Sequence, residues 1–161
     1  LAAGLILAPH IPAYAAEAPI TGNVQTRCLI TTDTNGVYGN PLPSKLSTLS
    51  ADGGVVPVVR YDVTLADSYL AKISTPTDFS SSPSLADAVT WTGSTTVTNT
   101  TDVGMAGYEA AKVIYGSTTQ YDLTVAGSTW FSSEATAVYG VNKSFPGGSY
   151  TAVIVAECIA K

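Results

Sequence analysis

Residues able to carry out catalysis are scarce in this sequence of 161 residues. His10 is the only histidine, and Ser-His-Asp and Cys-His arrangements both need a histidine beside the nucleophile. The twelve Asp and Glu residues are scattered, mostly beside turn residues or at polar strand positions. That placement indicates solvated surface carboxylates rather than the paired acids of a glycosidase. We therefore expect no enzymatic activity.

Residues that could bind a metal ion or phosphate groups are also few. Asp33-Thr34-Asn35-Gly36 begins like a calcium loop, but the third acidic ligand and the distal Glu are missing, which favours a hairpin turn. Two cysteines and one distant histidine are too few ligands for a metal. With seven Lys and Arg against twelve acids, the chain offers no basic patch to nucleic acid or anionic lipid. We expect no metal, no cofactor and no nucleic acid.

The N-terminal segment resembles the end of a secretory signal. Leu1–Ala8 is a short apolar run, and Ala13-Tyr14-Ala15 matches a small-x-small cleavage pattern. The run is too short to span a bilayer, and Pro9 and Pro12 interrupt it, so no membrane-spanning segment is expected. The segment is either a signal remnant or a retained apolar arm, and both alternatives stay open. The pattern predicts a secreted, extracellular protein.

The two cysteines, Cys28 and Cys158, are interpreted in the light of that export signal. An even pair in an exported chain is typical of one disulfide, whereas two buried free thiols are the alternative. A bond between them would tie the first strand of the domain to the last. Closing so long a loop restricts the unfolded chain by roughly 4–5 kcal/mol.

The elements that would position these residues are strands, because apolar residues recur with a period of two. The alternation covers Ile20–Ile30, Val59–Leu65, Val89–Thr92 and Tyr121–Val125. Tyr150–Ile159 is a near-continuous apolar run, as expected of a strand in a sandwich core. Met105–Tyr115 contains Ala, Glu and Lys and could form a short helix. The pattern predicts an all-β, immunoglobulin-like antiparallel β-sandwich over residues 20–161, preceded by the segment 1–19.

Two aromatic neighbours and two glycosylation sequons are the remaining binding features. Trp130 and Phe131 could stack on a sugar, although a buried core uses such residues as well. Neighbouring residues on a strand face opposite sides of the sheet. This pair is therefore a better candidate for an exposed aromatic site than an aromatic residue that alternates as core residues do. Asn99 and Asn142 each begin an Asn-x-Ser/Thr acceptor sequence. A secreted carbohydrate-binding or adhesive module is therefore one alternative for the function.

Both ends of the predicted domain resemble those of fimbrial (pilin) subunits of the chaperone–usher type. In Thr21–Ile30, a Gly, alternating residues and a Cys follow a short N-terminal arm, as in that family. In Pro146–Ala156, a Pro/Gly turn leads into an apolar closing strand. Counted back from Lys161, Gly148 also falls near a position where that family keeps a glycine.

The resemblance implies a structural function, as the subunit of a surface filament. A sandwich that lacks one strand exposes an apolar groove, and an arm from the next subunit adds the missing strand. Partners would be copies of the same chain, joined head to tail, with an assembly chaperone as a further partner. Alternatively, Ile20–Ile30 is the first strand of its own domain. The arm residues have the required two-residue spacing or extend it, and they are Leu5, Leu7, Ile11, Ala18, Ile20, Gly22 and Val24.

Overall fold

Ten strands form two antiparallel sheets in the computed structural model, which describes Thr21, Asn23 and residues 27–161. The strands are β1 Cys28–Thr34, β2 Gly39–Leu42, β3 Lys45–Ser47, β4 Val58–Val63, β5 Tyr69–Ser74, β6 Val89–Thr100, β7 Val113–Tyr115, β8 Thr118–Leu123, β9 Gly127–Tyr139 and β10 Val155–Ala160. One short helix, α1 Tyr108–Ala111, follows a 3-10 turn at Val103–Gly107, and a second 3-10 turn covers Ser50–Asp52. An all-β antiparallel sandwich is therefore confirmed.

The larger sheet, sheet I, is organised around the long strand β9. Its order is β1-β4-β9-β3-β2, and β6 pairs along the opposite side of β9. Sheet II has the order β10-β5-β8-β7. Sheet II is shorter, because its strands stop near Ser74 and Thr118, whereas β9 continues to Tyr139. Loops, rather than strands, therefore cover the far part of sheet I.

The core forms where alternate side chains of the two sheets meet, as the period of two predicts. Phe131 on β9 lies at its centre, with its ring centroid 5.4 Å from that of Tyr61 and 4.6 Å from that of Tyr121. The Tyr61 hydroxyl donates to the carbonyl of Glu157, 3.0 Å away, so this core residue also holds β10. The buried cluster consists of Val59, Tyr61, Val63, Ala71, Ile73, Met105, Tyr108, Tyr121, Leu123 and Phe131.

The predicted disulfide is confirmed, and it joins the two sheets along one edge of the sandwich. Cys28 begins β1, Cys158 lies in β10, and their Cα atoms are 6.4 Å apart. Since Cys28 pairs with Val63 and Ala160 pairs with Tyr69, β1 begins and β10 ends at the same end of the sandwich. We call this the terminal end, and Arg27, the described residue before Cys28, also lies there, with its N–H donating to Thr64 Oγ1 at 2.9 Å.

Two of the sequence-based predictions are wrong in their extent. The predicted core strand Tyr150–Ile159 begins only at Val155, and it is an edge strand in which Val155 and Ile159 are exposed. The possible helix over Met105–Tyr115 extends only to Ala111, as a 3-10 turn followed by α1, because Val113–Tyr115 pairs with β8 instead. In both segments, the position of a neighbouring strand overrides the local preference of the sequence.

Candidate functional site

The candidate site arises where β10 loses its partner strand. Val155 pairs with Ser74, the last residue of β5. If the ladder continued, Val153 would face Pro76, which has no backbone N–H to donate. The two segments therefore separate at this point, although the sequence before Val155 has the composition of a strand.

In the described part of the chain, three consecutive residues are left without a sheet partner. Among the described residues, the backbone groups of Ala152, Val153 and Ile154 pair with no other backbone group. The pairing resumes at Thr151, whose N–H donates to the carbonyl of Ser81 at 2.8 Å. Backbone groups without a partner need water or an incoming strand to satisfy them. The segment is therefore competent for strand pairing and unpaired.

A cavity of about 270 Å³ lies beside this unpaired segment, against the part of sheet I that sheet II does not cover. Thr32 and Thr34 of β1 form one wall, residues 152–154 form the other, and Val59 and Ala135 contribute from the strands between. The opening exists because sheet I continues past the point where sheet II stops. We call this cavity, together with its continuations along residues 145–155, the edge groove.

The edge groove continues in both directions along the same segment. A cavity of about 320 Å³ shares Pro76 and Val153 with the first, and one of about 450 Å³ shares Tyr38 and Ala152 with it. A fourth, of about 340 Å³, shares Tyr150 with the third. A series of cavities along one segment is the shape that accepts alternate side chains of an added strand.

The lining of the edge groove is nearly free of charge. Among the residues that the structure describes, Asp78 is the one charged residue that lines the four cavities. Burial raises the pKa of Tyr38 further above neutral, to about 12, and its phenol adds no charge to the lining at physiological pH. Val153 and Val155 beside the groove are 54% and 48% exposed. The groove thus favours an uncharged occupant with small and medium apolar side chains.

An aromatic cluster holds the far side of the groove in place. The Phe79 ring centroid lies 4.7 Å from that of Trp91 and 5.1 Å from that of Tyr150. Phe145 stacks on Tyr139 at 5.1 Å. Edge-on and stacked aromatic pairs each add about 0.5–1.5 kcal/mol beyond their buried area. The loops that cover the end of sheet I are therefore anchored, and the groove is preformed.

The seven arm residues predicted to donate a strand, from Leu5 to Val24, lie outside the described residues. The two sequon residues are described: Asn99, near the end of β6, and Asn142, in a turn with φ of 53°, are both exposed. Asp33, which begins the calcium-loop-like sequence, lies in β1. Its carboxylate accepts from the Trp130 indole Nε1 and lies 3.8 Å from an Arg60 nitrogen.

The sugar-stacking prediction is wrong for Phe131, because this residue is fully buried in the core. Trp130 faces the opposite side of sheet I, as alternation requires. Its ring centroid lies 5.8 Å from the Arg60 guanidinium carbon, and its indole N–H donates a hydrogen bond to the Asp33 carboxylate. The neighbours therefore do not form a joint ligand platform, and stacking by Trp130 alone stays a prediction.

The sequence patterns did not identify residues 152–155 as a segment to which a strand could be added. They identified the apolar run that contains Ala152–Val155 but placed it in the core. Pro76 was the available signal, since a proline two residues after β5 marks the end of that ladder. The pairing partner of β10 had to be known before this proline could be interpreted.

Comparison with known proteins gives no relative: no family model, no curated protein and no solved structure matches the chain. Within the described residues, no three His, Cys, Asp or Glu side chains come together in a way that could hold a metal ion. The same part of the chain contains no helix long and apolar enough to cross a membrane.

Proposed function

We propose that the chain is a structural subunit of an extracellular filament, in which the N-terminal arm of one copy lies along residues 152–155 of the next. The observation that carries this proposal is a segment with a strand sequence and unpaired backbone beside an uncharged, preformed groove. An added strand would supply main-chain hydrogen bonds to Ala152–Ile154 and place alternate side chains in the groove.

The arm has the chemistry that the groove favours. Ala18, Ile20, Gly22 and Val24 share one face of an extended strand, about 7 Å apart from one to the next. Thr21 and Asn23, on the other face, are polar and uncharged. Between Ala18 and Val24 the arm carries no charge, which suits a groove whose described lining residues include one charge, that of Asp78.

The geometry of the domain favours a neighbour's groove over the chain's own. The described chain enters β1 at the terminal end, whereas the groove opens at Thr32–Thr34, roughly 20 Å away along β1. An arm that continues outward meets the groove end of a copy stacked on the terminal end. Such a contact joins different surfaces of the two copies and does not close, so it generates a fibre.

An extracellular location is part of the same proposal. The disulfide between Cys28 and Cys158 supports it, because such bonds persist in oxidising compartments. In this function the protein binds copies of itself and turns over no substrate. The carboxylates have structural roles consistent with this, such as the ion pair of Asp52 with Lys45 at 2.7 Å.

Three forms of the chain test the proposal by negative-stain microscopy and sedimentation. The full chain is expected to form fibres, and a chain lacking the residues before Gly22 is expected to stay a folded monomer. Val153→Lys places a charge at the groove wall and is expected to prevent fibres. The matched control is Val103→Lys, which adds the same charge at an exposed position on a 3-10 turn.

A peptide of residues 17–26 separates strand donation from other routes to assembly. It is expected to bind the truncated chain with one-to-one stoichiometry and not to bind the truncated Val153→Lys variant. If the truncated chain still forms fibres, or if Val153→Lys and Val103→Lys assemble equally well, strand donation is wrong. A full chain that stays monomeric while its own arm protects the groove from the peptide would indicate self-complementation instead.

A further inference from the structure

The free edge of β6, opposite the edge groove, is covered by side chains of α1 and the residue after it. The Val97 N–H donates to the Glu109 carboxylate at 3.0 Å, and Lys112 Nζ donates to the Thr95 carbonyl at 3.2 Å. Glu109 and Lys112 also form an ion pair with each other. Charged groups bonded to an edge strand prevent another strand from pairing there.

The edge of β2 is protected in a different way. This strand is only four residues long, and Pro41 lies within it. A proline removes a backbone donor, and short edge strands offer little to a partner. Asn40 further uses its side-chain amide to bond the carbonyls of Leu42 and Lys45. Two of the described edges away from the groove are therefore guarded.

The edge strand β7 has no such protection. Its three residues, Val113, Ile114 and Tyr115, are 43%, 61% and 62% exposed. None of them is charged, none is proline, and β8 pairs with only one side of the strand. An exposed apolar edge strand is a template for pairing with another chain.

We infer that β7 pairs with β7 of a second copy, antiparallel and about a two-fold axis, and that this contact joins neighbouring filaments side by side. The inference rests on the proposed function for its setting, although the pairing itself does not require a filament. Only the register that places Ile114 opposite Ile114 of the partner copy pairs all three residues of both strands. Two copies of sheet II would then form one continuous sheet of eight strands.

Charge favours a second copy as the occupant. The chain has a formal net charge of −5, so most approaches of two copies bring like charges together. At β7 the nearest charged neighbours in sequence, Glu109 and Lys112, already neutralise each other. Two copies can therefore meet at this edge without opposing like charges, and a two-fold axis makes the surface complementary to itself.

The size of the contact explains why it would act between filaments rather than in a stable dimer. The exposed parts of these three side chains would bury on the order of 600 Å² in total, half of the 1,200 Å² or so of a lasting complex. A weak contact that repeats along two parallel filaments gains strength from its multiplicity. Lateral bundles are thus expected where the isolated chain shows only weak association.

Cysteine cross-linking in the full chain tests the pairing directly. Residues directly opposite each other in an antiparallel pair have Cα atoms about 4.5–5.5 Å apart, within the reach of a disulfide. Ile114→Cys is expected to form a covalent dimer under mild oxidation. Val113→Cys, which faces Tyr115 of the partner copy, is expected to form it at least about tenfold more slowly by the same distance criterion. Equal rates for the two variants would overturn the two-fold register.

Microscopy then tests the lateral contact. Ile114→Lys is expected to leave single filaments, whereas Val141→Lys, with the same charge at an exposed turn, is expected to bundle like the unaltered chain. Bundling of Ile114→Lys would overturn the inference. The cross-link is measured whether or not filaments form, so the two proposals fail separately. Absence of both the cross-link and the bundles would overturn this inference alone.

Discussion

Removing the disulfide should destabilise the domain mainly through its unfolded state. The perturbation is the double substitution Cys28→Ala and Cys158→Ala. The bond joins residues separated by 130 positions, and a loop of that length corresponds to about 5 kcal/mol of lost chain entropy in the unfolded state. In the folded state β1 stays paired with β4, and β10 stays paired with β5. The native sheets should therefore persist without the bond.

The expected loss in the free energy of unfolding is about 3–5 kcal/mol, since measured effects often fall below the entropic limit. That is a large part of the roughly 5–15 kcal/mol by which domains are stable. Urea unfolding at neutral pH, followed by circular dichroism, measures it for the oxidised chain, the reduced chain and the double variant. The reduced chain and the double variant should unfold at the same urea concentration.

A loss of less than about 1 kcal/mol would refute this reasoning, because no bond closing so long a loop should be that weak. So would a reduced chain that unfolds far more easily than the double variant. In that case the cost would come from burying two thiols rather than from the lost constraint. A thiol assay on the native oxidised chain provides the control, and it should detect no free thiol in Cys28 or Cys158.

Two further substitutions have clear expected outcomes. Burial opposes ionisation of Glu109, but hydrogen bonds from Lys112 and from a backbone N–H outweigh it and lower its pKa below 4.5. Its carboxylate therefore stabilises the fold above the unfolded pKa and loses this effect as the pH falls through the folded pKa. Glu109→Gln should lower the melting temperature at pH 7 and much less at pH 3. A Cβ at Gly39 would lie 2.1 Å from the Asp52 carbonyl oxygen, so Gly39→Ala should cost about 1–3 kcal/mol. Gly107→Ala is the control, since nothing lies within 4 Å of a Cβ there, and equal melting temperatures for the two would contradict the steric argument.

Much of the core could be predicted because alternation is a local property of the chain. Val59, Tyr61 and Val63 were assigned to one face by their spacing, and all three are buried in β4. Tyr121 and Leu123 follow the same rule in β8. The disulfide could also be predicted, because the number of cysteines and the export pattern left few other interpretations.

Trp130 and Phe131 show what local sequence rules cannot predict. Alternation established that Trp130 and Phe131 face opposite sides of their strand, but it could not say which side meets the other sheet. That choice depends on the register of β9 against β4, which pairs Phe131 with Val59 and so places it in the core. The sequence left an exposed, sugar-stacking pair as an alternative to core burial, and for Phe131 this alternative is wrong.

The sequence by itself determined the period of the strands, the type of fold and the cysteine pair, because these depend on neighbouring residues and on composition. Only the tertiary structure decided that Ala152–Ile154 has no backbone partner among the described residues, because β5 ends at Ser74 and is followed by Pro76. It likewise decided that β6 is guarded by Glu109 and Lys112 while β7 is open. Whether a strand is paired depends on which strand lies beside it in the fold, and the local sequence pattern does not specify that neighbouring strand.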